Sequence, residues 1–301
     1  MSIEQDLKAI LKCTIKKDEP MALHTSWMVG GPADYYFCPT DLDDLVAVIR
    51  YSAEHRLPLY VMGNGTNLLV LDGGIRGLVV NVGGAFCYIN STESSLAVGA
   101  GTPMTLLART AAEKGFIGLE FCVGIPGSLG GAVIMNAGAF GGYIGEKVSS
   151  VKFVSTEGEL LTLPKENLQF GYRTSNLVGR GAIVEVMLEL KKGDQVESLK
   201  LMEHFLNERR RRHPTLPSAG SVFRNLSDQP AGRIIESAGC KGLTFGGAVV
   251  SEQHANFIVN SGNATAADIL ALIKIVQQKV REKHNLHLHP EVRIVGEENI
   301  S

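Results

Sequence analysis

Two glycine-rich turns, Gly63-Asn64-Gly65-Thr66-Asn67 and Gly124-Ile125-Pro126-Gly127-Ser128-Leu129-Gly130-Gly131, set the tightest limit on how this chain folds. Glycine lets backbone N–H groups approach an anion with no Cβ in the way, and it adopts the left-handed conformations such loops need. The first turn is not the dinucleotide fingerprint, because Leu68 stands where the third glycine of Gly-x-Gly-x-x-Gly belongs. A P-loop is excluded as well, since no Gly-Lys-Ser/Thr run occurs. Glycine-rich loops mostly close hairpins or end helices. Here Pro126 fixes φ ahead of Gly127, and Ser128 stands where it can cap a short helix over residues 129–135, aiming free N–H groups at one point. The two turns read as a cradle for a pyrophosphate, and hence for a dinucleotide bound outside the Rossmann class.

The 301 residues, 45% of them hydrophobic, suit two or three modest domains with real cores. A net charge of −2 supplies no broad basic face, which argues against a nucleic-acid partner. Cys13, Cys38, Cys87, Cys122 and Cys240 lie far apart with no Cys-x-x-Cys pair, so neither a disulfide framework nor a metal site is encoded, and a reduced, cytoplasmic chain is expected. The first 17 residues mix Glu4 and Asp6 with lysines, unlike a signal peptide. No segment reaches the roughly 18 apolar residues of a membrane span, so no membrane insertion is expected.

Along the chain, residues 2–11 form an amphipathic helix pattern, and Thr40 with Asp43 resembles a capping signal for a helix reaching residue 53. A short strand over 59–62 feeds the first glycine turn, followed by strands at 78–82 and 96–98 and a helix over 103–114 that Gly115 closes. Residues 151–155 and 160–163 read as a hairpin turning at Glu157-Gly158, and 182–190 as a further strand. After the linker Lys191-Lys192-Gly193-Asp194 come a helix over 197–212, a strongly amphipathic helix over 266–282 and a closing strand over 291–295.

Three polar residues sit where glycine, proline or strand neighbours hold a side chain firmly: Arg173, Ser221 and Glu291. Arg173 lies between two expected strands and offers a guanidinium fork for a carboxylate. Ser221 follows a glycine hinge and precedes a short strand; without a Gly-x-Ser-x-Gly elbow it suits a proton donor better than an acyl-transfer nucleophile. Glu291 follows Pro290, which fixes its backbone at the start of the last strand. The run from Arg209 to Arg212 reads as a solvated helix end, His287 and His289 lack the companions of a metal site, and His254-Ala255-Asn256-Phe257 reads as a tightly packed turn with its polar groups bonded internally.

These segments in this order resemble the bacterial UDP-N-acetylenolpyruvoylglucosamine reductase family, also called UDP-N-acetylmuramate dehydrogenases, in its shorter subclass. The resemblance runs nearly the full length. It begins at Thr25-Ser26-Trp27-Met28-Val29-Gly30-Gly31-Pro32-Ala33 and passes through both glycine turns and Tyr172-Arg173. It continues through Pro217-Ser218-Ala219-Gly220-Ser221-Val222-Phe223-Arg224-Asn225, Ile235-Glu236-Ser237-Ala238-Gly239, Gly246-Gly247-Ala248 and His254-Ala255-Asn256-Phe257 to His289-Pro290-Glu291-Val292. It implies an α+β fold, with a two-part FAD-binding unit of the vanillyl-alcohol-oxidase (PCMH) type over 27–193 and a C-terminal α+β substrate-binding domain over 196–301. Residues 1–26 supply a helix and lead-in.

The resemblance also implies noncovalent FAD on Gly63, Asn64, Gly65, Thr66, Asn67, Leu68, Gly124, Ile125, Pro126, Gly127, Ser128 and Gly131, with NADPH as reductant. It implies a UDP-sugar substrate contacted by Tyr172, Arg224 and Asn225. Arg173, Ser221 and Glu291 would be catalytic, with Ser221 the proton donor and the other two stabilising an enolate, in a monomeric enzyme. The family usually has lysine and proline where this chain has Arg224 and Leu226.

Two rival readings differ in chemistry. An oxidase of the same flavin superfamily often carries a histidine in the first glycine turn for covalent flavin attachment, and residues 63–69 contain none. A noncatalytic nucleotide-sugar binder would have no need of Arg173, Ser221 and Glu291 together.

Overall fold

The computed structural model describes residues 3–226 and 229–298; Ser2, included in the expected first helix, lies outside them. By its contacts the chain divides into two compact units, one made of residues up to 17, 35–64 and 77–209, the other of 18–34, 65–76 and the residues from 210 onward. Each has its own hydrophobic core. Boundaries at 26/27 and 193–196 divide the chain into continuous stretches, whereas the contacts interleave three segments per unit.

In the first unit, α1 (Ile3–Ile10) buries Leu7, and α2 (Leu42–His55) starts at Asp41, whose carboxylate accepts the Asp44 N–H at 2.9 Å. The expected capping pair was Thr40 and Asp43. Thr40 instead gives its hydroxyl and N–H to Asp44 at 2.6 and 3.1 Å, and the Lys12 N–H joins them at 2.8 Å. Burial alone would raise the pKa of the Asp44 carboxyl, but these donors hold it below its ordinary value. Leu59–Met62 pairs in parallel with Ile75–Asn81, from Leu59 opposite Leu78 to Met62 opposite Asn81, so the first glycine turn leaves the carboxyl end of a strand as expected.

A five-stranded sheet follows in the order Leu160–Pro164, Val148–Ser155, Gly181–Glu189, Ser95–Gly99, Ile89–Ser91. Its expected hairpin turns at Gly158, which takes φ +81°. Packed with this sheet in one core are α3 (Met104–Glu113), which buries Met104, Leu107, Ala108, Ala111 and Ala112, and α4 (Leu129–Ile134). The linker residue Asp194 starts α5 (Gln195–Arg212) by accepting the N–H groups of Val196 and Glu197 at 2.7 and 3.0 Å.

The second unit contains α6 (Ala231–Ser237), α7 (Ala266–His284), the antiparallel strands Thr244–Phe245, Ala248–Val250 and Ile258–Asn260, and a parallel pair formed by Leu68–Val70 and Arg293–Val295. The buried face of α7 is the stripe read from the sequence: Ile269, Leu272, Ile273, Val276 and Val280, with Ala266 added. Its first turn leaves no donor to chance. Thr265 and Asp268 form a capping box, and Asp72 takes the N–H groups of Ala266 and Ala267 at 2.9 and 2.8 Å.

Trp27 is the largest fully buried side chain of this core. Its indole N–H donates to the Ile258 carbonyl at 2.7 Å, while the Asn260 side-chain amide donates to the Trp27 carbonyl at 2.9 Å. Trp27→Ala removes packing and leaves the Ile258 carbonyl unpaired; we expect a loss of about 3–5 kcal/mol, read as a lower urea midpoint for the second unit. A loss under about 1 kcal/mol would show that the indole does not hold this core together.

Candidate functional site

The first unit brings parts of both glycine turns against one another. Gly63 and Ser128 touch so closely that a Cβ on Gly63 would fall on the Ser128 Oγ. Gly63 is held from behind by Asn81, whose amide donates to the Gly63 carbonyl at 3.3 Å and to the Tyr36 hydroxyl at 2.9 Å. Beyond Gly63 and Asn64 the turn belongs to the second unit, where Gly65 takes φ +62° and a Cβ on it would strike the His24 carbonyl. Only glycine satisfies both conditions. The Ser26 N–H reaches the Gly65 carbonyl at 3.3 Å, so the Thr25-Ser26-Trp27 segment backs this part of the turn.

In the second turn the expectation of a serine-capped helix needs correction. Ser128 occupies the N-cap position of α4 with extended backbone, but its side chain makes no capping bond, and α4 ends at Ile134. The Leu129 and Gly130 N–H groups are spent on the Thr102 and Ala100 carbonyls at 2.9 and 2.8 Å. Gly124 and Ile125 likewise donate to the Thr105 hydroxyl and the Cys122 carbonyl, at 3.1 Å each. These bonds pin the loop to the start of α3, and they narrow the expected ring of donors to Gly127, Ser128 and Gly131, of which Gly131 is exposed.

Arg173 lies in the same unit. It occupies the two-residue loop of a small hairpin, Phe170–Gly171 with Thr174–Ser175, and holds φ +57°, a left-handed conformation unusual for a residue with a Cβ. Tyr172, the other loop residue, is exposed, with its ring centre 5.4 Å from the guanidinium. Arg173 Nη1 donates to the Gly138 carbonyl at 3.3 Å. The hairpin is tied to the end of α4 by the Ser175 hydroxyl on the Ile134 carbonyl and the Asn136 amide on the Gly171 carbonyl, both 3.0 Å. The helix that opens from the second glycine turn therefore also carries the arginine.

The second unit brings together Ser221, Glu291 and Asn67. Gly220 at φ +75° turns the chain into Ser221, after which the Val222 carbonyl accepts the Glu291 N–H at 2.7 Å and the Arg224 N–H reaches the His289 carbonyl at 2.9 Å. Asn67, from the first glycine turn, donates its amide to the Glu291 carbonyl at 3.2 Å and accepts the Arg293 N–H at 3.0 Å. Leu68 follows in the parallel pair, opposite Arg293. Two expected strands are shorter than read. Phe223 forms only an isolated bridge with Pro290, and the last strand begins at Arg293, because the chain changes hydrogen-bond partner between residues 291 and 293.

Arg224 and Asn225 are exposed at the end of this segment. The Asn225 side-chain oxygen accepts the Ala231 N–H at the start of α6 at 2.9 Å, and the Leu226 N–H donates to the Gln229 carbonyl at 3.1 Å, a bond that a proline in that position cannot make. The turn at residues 254–257, expected to bond its polar groups internally, does so only in part, because the Asn256 carboxamide and carbonyl bond outward to Phe223 and Val222. Asn256 donates its N–H to His254 Nδ1 at 3.2 Å, and burial lowers the pKa of that imidazole.

Arg209 departs from the solvated helix end read from the sequence. It is half-buried beside Phe140, 5.3 Å from the ring centre, with its stem against Gly124, and desolvation lowers its pKa. Among the described residues no His, Cys, Asp and Glu group forms a metal site, and no helix is long and apolar enough to cross a membrane.

Glycine backbone without Cβ atoms, donors at Gly127, Ser128 and Gly131, and the contact of Gly63 with Ser128 fit a bound FAD diphosphate, which needs N–H groups rather than side chains. Residues 33–164 match the model of an FAD binding domain, and residues 212–295 that of the UDP-N-acetylenolpyruvoylglucosamine reductase C-terminal domain. The UDP-N-acetylenolpyruvoylglucosamine reductase of Heliobacterium modesticaldum is 47% identical over 93% of this chain and 90% of its own. That of Desulforamulus reducens is 42% identical over 99% of both. Among solved structures, the UDP-N-acetylenolpyruvylglucosamine reductase (MurB) from Thermus caldophilus has a TM-score of 0.81 and 35% identity, covering 94% of this chain and 99% of that one. Physcomitrella patens BBE-like 1, at 12% identity and a TM-score of 0.57 over 94% of this chain and 89% of its own, is alike in fold alone. The expected α+β class with an FAD-binding unit is borne out, and the chain belongs to the UDP-N-acetylenolpyruvoylglucosamine reductase family.

Proposed function

We propose that this protein reduces UDP-N-acetyl-3-O-(1-carboxyvinyl)glucosamine to UDP-N-acetylmuramate at the expense of NADPH, as a cytoplasmic monomer with noncovalent FAD. Family membership supports the substrate class. The observation that carries the mechanism lies in the second unit, where Asn67 of the first glycine turn is bonded to the Glu291 carbonyl and Glu291 is paired with the residue after Ser221. A cofactor turn and two candidate catalytic groups thus share one backbone register.

The residues that would hold FAD are Gly63, Asn64, Gly65, Thr66, Asn67 and Leu68 in the first turn and Gly124, Ile125, Pro126, Gly127, Ser128 and Gly131 in the second. FAD held there would supply hydride chemistry, with NADPH as reductant and the methylene carbon of the enolpyruvyl ether as acceptor. Ser221 gives a proton to the neighbouring carbon, which completes saturation of the double bond, and its oxygen regains a proton from water. A serine is a weak acid, so this transfer depends on a strongly basic enolate and a dry environment. Arg173 neutralises the charge that develops on the carboxylate, and Glu291 in its protonated form donates a hydrogen bond to it. Tyr172, Arg224 and Asn225 contact the UDP-sugar; arginine at position 224 serves a diphosphate with a fork where lysine offers a point charge.

Anaerobic visible spectroscopy tests the cycle: NADPH is expected to bleach the flavin band, and the enolpyruvyl UDP-sugar to restore it. Restoration by oxygen alone would point to an oxidase. Ser221→Ala is expected to slow restoration by the sugar by about 100-fold or more while bleaching by NADPH keeps its rate; equal slowing of both steps would count against a proton-donor role. Gly63→Ala forces Ser128 away from the first turn and is expected to weaken FAD binding at least about tenfold, read by titrating stripped protein, with little change in melting temperature. Unaltered FAD affinity would remove the Gly63–Ser128 contact from the cofactor site.

A further inference from the structure

Asn256 is a buried polar side chain that the proposed mechanism does not use. It is 3% exposed, and its backbone and carboxamide groups bond to His254 in its own turn and to Val222 and Phe223 beside Ser221. Its carboxamide oxygen accepts the Phe223 N–H at 2.9 Å, and its amide donates to the Phe223 carbonyl at 2.9 Å. Its own carbonyl accepts the Val222 N–H at 2.8 Å. One residue thus supplies three bonds to the backbone of two consecutive residues, imitating a paired strand on a side where the chain has none. On the other side of the same segment stand the Glu291 N–H on the Val222 carbonyl and the His289 carbonyl on the Arg224 N–H.

We propose that Asn256 is a positioning residue that sets the place of the Ser221 hydroxyl and its register against Glu291. The proposal rests on the reading of Ser221 as proton donor. Burial of Val222 and Phe223 in the second core holds the segment without fixing its backbone register, and Gly220, at φ +75° with open space around it, contributes a pivot rather than a restraint. The clamp is itself anchored. Asn256 donates its N–H to His254 Nδ1, and His254 packs edge-on against Phe257 with ring centres 4.9 Å apart. Burial lowers the pKa of that imidazole and so favours its neutral form, and the Asn256 N–H selects the tautomer in which Nδ1 is the acceptor. An error of about 1 Å in a proton donor is enough to slow its step by about 100-fold, so a clamp two residues away has kinetic leverage without touching substrate.

The test follows the two half-reactions of the FAD-loaded enzyme in Asn256→Ala, Ser221→Ala and the double variant. Asn256→Ala is expected to slow the sugar half-reaction about 10- to 100-fold through kcat, with KM for the sugar and the rate of flavin reduction by NADPH unchanged. Combined with Ser221→Ala it is expected to add less than about twofold, because it acts only through the serine. Should Asn256→Ala fail to fold, Asn256→Asp, which keeps the acceptor for the Phe223 N–H and loses the donor to the Phe223 carbonyl, carries the same measurements. Full sugar half-reaction rates in a folded variant, equal slowing of both half-reactions, additive slowing in the double variant, or insolubility of both substitutions would each overturn the proposal. A Ser221→Ala enzyme that retains its sugar half-reaction would instead fail the parent reading of Ser221, and the clamp would lose its object.

Discussion

The second unit depends on how a short, irregular stretch, residues 221–224, keeps its backbone donors and acceptors paired. Buried peptide groups left unpaired cost about 1–3 kcal/mol each, so a stretch without a regular strand on either side has to borrow partners. It borrows them from a carboxamide at Asn256 and from the chain around Pro290. Pro290 stands opposite Phe223 in an antiparallel bridge whose bonds come from its neighbours, the Glu291 N–H and the His289 carbonyl, so the missing proline N–H leaves no bond unmade there. The position of that glutamate is therefore a by-product of satisfying the peptide groups of Val222 and Arg224.

The same economy recurs in each unit separately. In the first, α4 leaves the second glycine turn and its far end receives the hairpin that carries Arg173, through Ser175 and Asn136. In the second, the strand that leaves the first glycine turn lies in parallel with the strand that follows Glu291. Each unit couples one stretch of cofactor-type backbone to one or more of the polar groups read as catalytic. The arginine adopts a left-handed conformation to do so, a local strain of the kind that surrounding structure must hold in place.

Much of this was legible in the amino-acid sequence, where a local rule decides the outcome. The apolar stripe of α7, the turn at Gly158, the closure of α3 before Gly115 and the strand ahead of Gly63 all follow from periodicity or from glycine's φ, and all are present. What the sequence concealed are long-range partners of polar side chains. Asp72 caps a helix 194 residues away, Asn81 holds Gly63, and Asn256 holds Phe223. Asparagine and aspartate in loops satisfy nearby backbone so often that no spacing rule singles out the ones with distant duties. Ser128 shows the converse, with a serine in the right place for a cap whose hydroxyl makes no capping bond and lies against Gly63. Arg209 was misjudged because charge runs are usually solvated, and only packing reveals that its first member covers Phe140.

The interleaving of segments bears on how such a chain matures as it leaves the ribosome. Trp27 finds the Ile258 carbonyl 231 residues later in the sequence, and Leu68 finds its strand partner at Arg293. Contacts of that separation are slow to form, and during synthesis the tryptophan and the strand behind the first glycine turn must remain without their partners until Ile258 and Arg293 have emerged. The first unit has its own core and nearly all of its sequence once residue 209 is out, so it can fold ahead. The nascent chain is consequently exposed to aggregation and proteolysis in the interval between those two events, when half of a glycine turn is already in place and the other half still awaits the strand at Arg293–Val295.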